Sequence, residues 1–241
     1  MIDASVLVVA KAPVAGLAKT RLAASVGDAT AADIAAAALL DTLDAVAATP
    51  VTARVVAFTG DLDQAHRADE IRSRLADFVV IEQRGADFAA RLANAHADTA
   101  AATSGLPVVQ VGMDTPQVSA ELLGRCATGL ATADAVLGMA RDGGWWVLGV
   151  TDAAAAECLR DVPMSAPDTG ELTLKALQHS GLGVELVDEL TDVDTIDDVA
   201  VIAWLRILAV IAPADAPGLR ILAVADWLKP TLDEPATVEA P

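Results

Sequence analysis

The stretch Ser5-Val-Leu-Val-Val-Ala-Lys11-Ala-Pro-Val-Ala-Gly16-Leu-Ala-Lys19-Thr-Arg21-Leu22 decides how this chain is read. Its first six residues form an unbroken apolar run, the mark of a central β-strand covered on both faces. The run gives way to a loop that sets Lys11, Lys19 and Arg21 around Gly16. In open α/β sheets, ligands bind beyond the carboxyl ends of the strands, which is where such a loop emerges. Gly16 lets backbone amides approach an anion, and the N-terminus of a following helix adds partial positive charge beside Thr20. Lys11, Lys19 and Arg21 then neutralise phosphate oxygens. The alternative is a solvated loop whose cations pair with surface carboxylates.

Spacing removes the two commonest phosphate-binding assignments. A Walker A motif needs glycine directly before its lysine, and here Ala18 precedes Lys19-Thr20. No G-x-G-x-x-G follows a strand, so a dinucleotide-binding enzyme lacks its main signature.

The 241 residues favour one large domain over two small ones. With 54% hydrophobic residues, no tyrosine and 3% aromatics, the core has to be aliphatic. A net charge of −18 repels nucleic acid and anionic membranes, so neither is expected as a partner and any phosphate site has to be a local basic island. The N-terminus has no basic segment ahead of its apolar run, and residues 199–212 are too short to span a bilayer and contain Arg206. Cys126 and Cys158 share no ligand-like spacing with each other or with His66, His96 and His179. A cytoplasmic protein without structural zinc is the expectation; the oligomeric state is left open.

Outward from the opening strand, residues 30–49 carry Ala, Ile and Leu at helical spacing and end at Pro50. Strands are predicted at 52–59, 78–82 and 107–111, with helices at 63–75 and 87–103 between them. Parallel neighbours require such crossovers, so the sheet is mostly parallel. After a helix at 119–131, strands at 135–140 and 145–150 are joined by Arg141-Asp-Gly-Gly144 alone, too short a link for a crossover. A mixed sheet follows. Residues 168–180 read as a helix with Asp168 and Glu171 in capping-box spacing, and 183–187 as a last strand. Beyond it, helices are expected at 196–210 and 219–228, then a Pro- and Glu-rich disordered tail from Lys229.

Two acidic segments complement the loop. Val109-Gln-Val-Gly-Met-Asp114-Thr-Pro116 ends a strand on a carboxylate suited to holding Mg²⁺ against nucleotide phosphates, or else to forming a turn before Pro116. Thr191-Asp192-Val-Asp194-Thr195 sets two carboxylates at i and i+2, on one side of an extended segment, with Asp194 alternatively a helix cap. Gln83, Gly85 and Asp87 follow the third strand and are placed to contact a nucleobase, although Asp87 also fits a helix cap. Arg91, one turn on, faces either solvent or ligand. In Arg141-Asp142-Gly143-Gly144-Trp145-Trp146, Asp142 suits a sugar hydroxyl and a tryptophan suits ring stacking; a plain turn with two core tryptophans is the alternative. If that strand is regular, at most one of the two tryptophans lines a site.

With Lys11 to Leu22, Gly112-Met-Asp-Thr-Pro116, Asp142-Gly-Gly-Trp-Trp146 and Asp192-Val-Asp-Thr195 in this order, the chain resembles a family of small GT-A-like proteins, the radical-SAM/selenodomain-associated transferase 1 type. That family is similar in turn to 2-phospholactate and molybdenum-cofactor guanylyltransferases and to GT-A glycosyltransferases. The resemblance runs from about Val6 to about Leu205 and departs at Pro163-Met-Ser165-Ala166-Pro167, where many relatives read tryptophan-serine-threonine. It implies a single-domain three-layer α/β/α fold of the nucleotide-diphospho-sugar transferase type over residues 1–212; the helical extension at 213–228 and the tail at 229–241 lie outside the resemblance. It further implies that Lys11, Gly16, Lys19 and Arg21 hold phosphates and that Asp114, Asp192 and Asp194 share Mg²⁺ or Mn²⁺. Gln83, Gly85 and Asp87 then lie near the base, and Asp142 and Gly143 near the acceptor.

The parts are those of metal-dependent transfer from a nucleotide to a small-molecule acceptor. Nucleotidyl transfer from an NTP to an acidic acceptor is the leading expectation. A glycosyltransferase using a nucleoside-diphosphate sugar and a non-catalytic nucleotide-binding regulator are the alternatives.

Overall fold

In the computed structural model, which describes residues 1–190, the opening run becomes β1 (Ile2–Lys11), buried throughout residues 4–10. It is followed by α1 (Thr20–Val26), α2 (Asp28–Ala48), β2 (Val51–Thr59), α3 (Ala68–Leu75), β3 (Val79–Glu82) and α4 (Phe88–Ala102). Then come β4 (Val108–Gly112), α5 (Ala120–Gly129), β5 (Ala135–Ala140), β6 (Trp145–Val150), α6 (Thr169–His179) and β7 (Val184–Leu190). One sheet of order β3-β2-β1-β4-β6-β5-β7 contains all of these strands. Only β6 runs antiparallel to its neighbours; β1, β2, β3 and β4 pair in parallel, as do β5 and β7.

The expected α/β fold with a mixed, mostly parallel sheet is therefore present, with helices on both faces. On one side α2, α3 and α5 pack Leu39, Leu40, Leu43, Ile71 and Leu123, all fully buried, against Val6, Val8 and Val56. On the other, α4, α6 and a 3-10 helix (Ala153–Asp161) pack Leu92, Leu159 and Leu177 against Leu7, Val55 and Leu148. Each fully buried leucine contributes about 1.5–3 kcal/mol. This double cover is why the central strands read as continuous apolar runs.

Local departures have local causes. The single helix expected at 30–49 is preceded by the seven-residue α1, which Gly27 at φ 81° separates from α2. The loop is thus followed by a two-turn helix, which gathers less dipole than a long one. The polar helix expected at 63–75 is divided into a 3-10 turn (Leu62–Gln64) and α3 by Arg67 at φ 53°. Asp168 and Glu171 form no capping box: Glu171 is drawn to Lys175, 2.5 Å away at i+4, and Asp168 makes no side-chain cap bond. The hydroxyl of Thr169 instead accepts from Ala166 N (3.0 Å) and donates to the Pro163 carbonyl (2.8 Å). The 3-10 helix has no counterpart in the sequence reading. Among the described residues no helix is long and apolar enough to cross a membrane.

Asp192, Asp194, the helices expected at 196–210 and 219–228, and the boundaries at 212 and 228 lie outside the described residues.

Candidate functional site

Strand alternation aims a defined set of side chains at one end of the sheet. Val9 and Lys11 of β1, Ala57 and Thr59 of β2, and Gln110 and Gly112 of β4 all face the α4 side. Most of these residues line a cleft of about 460 Å³ at the carboxyl ends of β1 and β4 and the amino end of β6. One wall is the start of α4, through Phe88, Arg91 and Leu92; the opposite wall is the loop carrying Met164, Ser165 and Ala166.

The loop after β1 and the acidic end of β4 meet at this cleft. Lys19 Nζ lies 2.7 Å from Asp114 Oδ2, with the lysine side chain 8% exposed and the aspartate 33%. Lys19 sits before α1 with φ 48° and ψ 51°, a left-handed backbone that costs a non-glycine residue about 1–2 kcal/mol. Asp114 has room because residue 112 is glycine: a Cβ there would stand 2.9 Å from Asp114 Oδ1. A further tie runs from the Lys11 amide to Met113 Sδ at 3.2 Å. Lys11 Nζ donates to the Leu17 carbonyl at 2.8 Å, closing the loop on itself. Lys11 makes no ion pair among the described residues and lines the cleft directly.

The other loop residues stand apart. Gly16 (φ 78°), Thr20 and Arg21 are exposed and do not line the cleft, and Lys19 adjoins it only through its contact with Asp114. The Asp28 carboxylate lies 3.7 Å from where a Gly16 Cβ would be, which gives Gly16 an acidic neighbour.

After β3, Gln83 reaches the cleft with its amide NH₂ already committed to the carbonyls of Ala10 (2.7 Å) and Ala57 (2.9 Å). It thereby ties β1 to β2. Gly85 packs on the first turn of α4, where a Cβ would come within 2.7 Å of Arg91 N. Asp87 caps that helix, accepting from Ala90 N at 2.8 Å. These two residues build the wall that carries Arg91.

Asp142 lines the cleft, one carboxylate oxygen accepting from Gly144 N at 2.8 Å. Gly143 (φ 90°) has a packing reason of its own: a Cβ would collide with the Pro167 carbonyl oxygen. Its carbonyl accepts from Gly170 N at 2.8 Å, which fastens the β5–β6 turn to the start of α6. The expectation that a regular strand lets only one tryptophan line the site is corrected, since both Trp145 and Trp146 do. A register shift pairs Gly138 with Val147 and Met139 with Trp145, so Trp146 falls in a bulge. Its indole crosses above Gly138, where no Cβ obstructs it, and donates to the Asp188 carbonyl at 2.8 Å.

Sequence reasoning passed over Gln110 and Thr59. Gln110 left a signal, as the lone polar residue within Val-Val-Gln-Val; Thr59 left none.

Among the described residues, no three His, Cys, Asp or Glu side chains are grouped to hold a metal ion. Asp114 supplies one hard oxygen ligand at a strand end. That fits Mg²⁺, which retains waters and is commonly bound by one or two carboxylates plus substrate phosphates.

A family model described as "Uncharacterized protein conserved in bacteria (DUF2064)" matches residues 42–166. No curated protein matches the sequence. Among solved structures, a proposed nucleotide-diphospho-sugar transferase from Desulfovibrio desulfuricans G20 is 24% identical with TM-score 0.79, over 95% of this chain and 96% of that one. A cytidylyltransferase from Leptospira borgpetersenii is 14% identical with TM-score 0.55, over all of both chains. A 4-diphosphocytidyl-2C-methyl-D-erythritol synthase is 12% identical with TM-score 0.56, over 86% of this chain and 99% of that one. The fold is thus that of nucleotide-diphospho-sugar transferases and nucleotidyltransferases, as the sequence motifs led us to expect.

Proposed function

This chain belongs to the DUF2064 family of bacterial proteins, and we propose that it is a nucleotide-using, metal-dependent transferase that moves a nucleotidyl group from an NTP to a small acidic acceptor. The observation that carries this reading is the meeting of Lys19 with Asp114, 2.7 Å apart, beside Lys11 at the strand ends. A cation and a carboxylate in contact at the mouth of a cleft are the two charges a metal-bound triphosphate needs, each held ready by the other.

On this reading Lys11 and Lys19 bind phosphate oxygens and offset the negative charge that builds on the leaving pyrophosphate. An acceptor oxygen attacks the α-phosphorus, the bond from that phosphorus to the bridging oxygen breaks, and pyrophosphate leaves. Gln83 orients the nucleotide, and the chemistry rests on positioning and charge with no protein nucleophile. Asp114 would hold Mg²⁺ or Mn²⁺, with Asp192 and Asp194, which lie outside the described residues, as the further ligands expected from the sequence; the bound ion would neutralise phosphate charge. Gly16, Thr20 and Arg21 belong to the exposed outer side of the loop.

A glycosyltransferase using a nucleoside-diphosphate sugar is the second reading, supported by Asp142 at the cleft, whose second carboxylate oxygen suits a sugar hydroxyl. Product analysis decides between them: nucleotidyl transfer releases pyrophosphate, glycosyl transfer a nucleoside diphosphate. Asp114→Asn is expected to abolish either turnover and leave the helical circular dichroism unchanged; loss of that signal would give Asp114 a structural role instead.

A further inference from the structure

The cleft contains two polar groups that neither the loop nor Asp114 explains. Among the described arginines, Arg91 alone has no hydrogen bond or ion pair for its guanidinium. Its neighbours are engaged: Arg84 holds Asp98 at 2.6 Å and Arg160 holds Glu157 at 2.6 Å. In a chain with 34 acidic and 16 basic residues, carboxylate partners are plentiful, so a half-buried arginine left without one is selective. Gln110, on the cleft floor, is 1% exposed, and its Oε1 is buried without a hydrogen-bond partner. Buried acceptors are nearly always satisfied, so this one calls for a donor from outside the chain.

The two groups demand different chemistry from the nucleotide. Its phosphates are accounted for by Lys11 and Lys19 at the end of β1 and the loop beyond it, and its base is neutral. A second unpaired cation on a different wall therefore calls for a second anion. The same cleft is also lined by the apolar side chains of Leu92, Trp145 and Met164. A volume of about 460 Å³ that also admits a nucleotide leaves space for a molecule of a few carbons.

Resting on the transferase reading, we propose that Arg91 and Gln110 form the acceptor subsite and that the acceptor is a small hydroxy acid. Its carboxylate or phosphate ion-pairs with Arg91, a hydroxyl or amine donates to Gln110 Oε1, and its carbon skeleton lies against Leu92, Trp145 and Met164.

Calorimetric titration of the full-length chain with D-glycerate, glycerol and propionate, with and without a Mg²⁺-nucleotide, tests this. Glycerate is expected to bind more tightly than glycerol, which lacks the anion, and than propionate, which lacks the hydroxyls. Arg91→Gln weakens glycerate about tenfold or more, the worth of one charged hydrogen bond. Gln110→Met weakens glycerate and leaves propionate unchanged, and neither substitution alters nucleotide affinity. Equal binding of glycerol and glycerate, no glycerate binding to the wild-type chain under either condition, or a loss of nucleotide affinity in Arg91→Gln equal to the loss of glycerate affinity would each overturn the subsite. If no nucleotide binds, the transferase reading fails, whereas glycerate binding measured without nucleotide still decides the fate of Arg91 and Gln110.

Discussion

The two faces of the sheet are built on different terms. The face under α2, α3 and α5 is closed mainly by Ala, Val, Leu and Ile, with Met113, Cys126 and Trp146 among them and a single buried charged residue, Asp41. The face under α4 and α6 buries His96, Thr99 and Gln110 with polar atoms unpaired, and it opens into the cleft. Leaving such groups unsatisfied costs stability, about 1–3 kcal/mol each. The first face stabilises the sheet and the second carries its chemistry.

Substitutions on each face sharpen or break that contrast. Leu39→Ala, on the closed face and fully buried, is expected to cost about 2–5 kcal/mol in urea unfolding. Nucleotide affinity at a temperature where the variant remains folded should stay unchanged; a matching loss of affinity would show that the faces are not independent. Gly143→Ala, on the open side, forces a Cβ into the Pro167 carbonyl at φ 90°, for an expected cost of about 1–3 kcal/mol. Here activity should fall as well, because the turn fixes the wall carrying Ser165 and Ala166; a stability loss with full activity would detach that wall from function.

His96, whose effect is confined to acid pH, gives the clearest sign. Burial pushes its imidazole down to about 3 from 6.5, so it is neutral in the folded chain. As pH falls below 6.5 the unfolded chain takes up a proton that the folded one refuses until about pH 3. The contribution of His96 to stability is therefore whole above about pH 6.5 and is lost progressively as the pH falls towards 3. His96→Leu should flatten this acid limb in denaturant titrations at pH 7 and pH 5 and leave stability at pH 7 equal or higher; an unchanged slope would locate acid sensitivity elsewhere.

Much of this architecture was legible in the sequence because it is set by short-range pattern. The run at Ser5 to Ala10 announced a doubly covered strand, and the four-residue link before Trp145 announced the antiparallel pair. Lys19 was legible as a loop cation and Asp114 as a strand-end carboxylate, and their contact depends on β1 and β4 being neighbours in register. What escaped depends on tertiary fit. The bulge at Trp146 exists because Gly138, on another strand, makes room for an indole, and the capping box failed because Glu171 had a nearer partner in Lys175. Gln110 stood out as polar in an apolar strand, but only the folded structure shows that its buried Oε1 has no hydrogen-bond partner and that it lines the cleft. Asp192 and Asp194, the other half of the expected ligand set, fall outside the described residues.

The central claim, that Lys19 and Asp114 mark a nucleotide–metal site, is tested most directly by calorimetric titration of the wild-type and Asp114→Asn chains with each NTP, with and without Mg²⁺. The account predicts that at least one NTP binds the wild type more tightly when Mg²⁺ is present, and that Asp114→Asn loses this metal-dependent gain while remaining folded. Nucleotide binding that is indifferent to Mg²⁺ in both chains, or no binding at millimolar concentration, would contradict it.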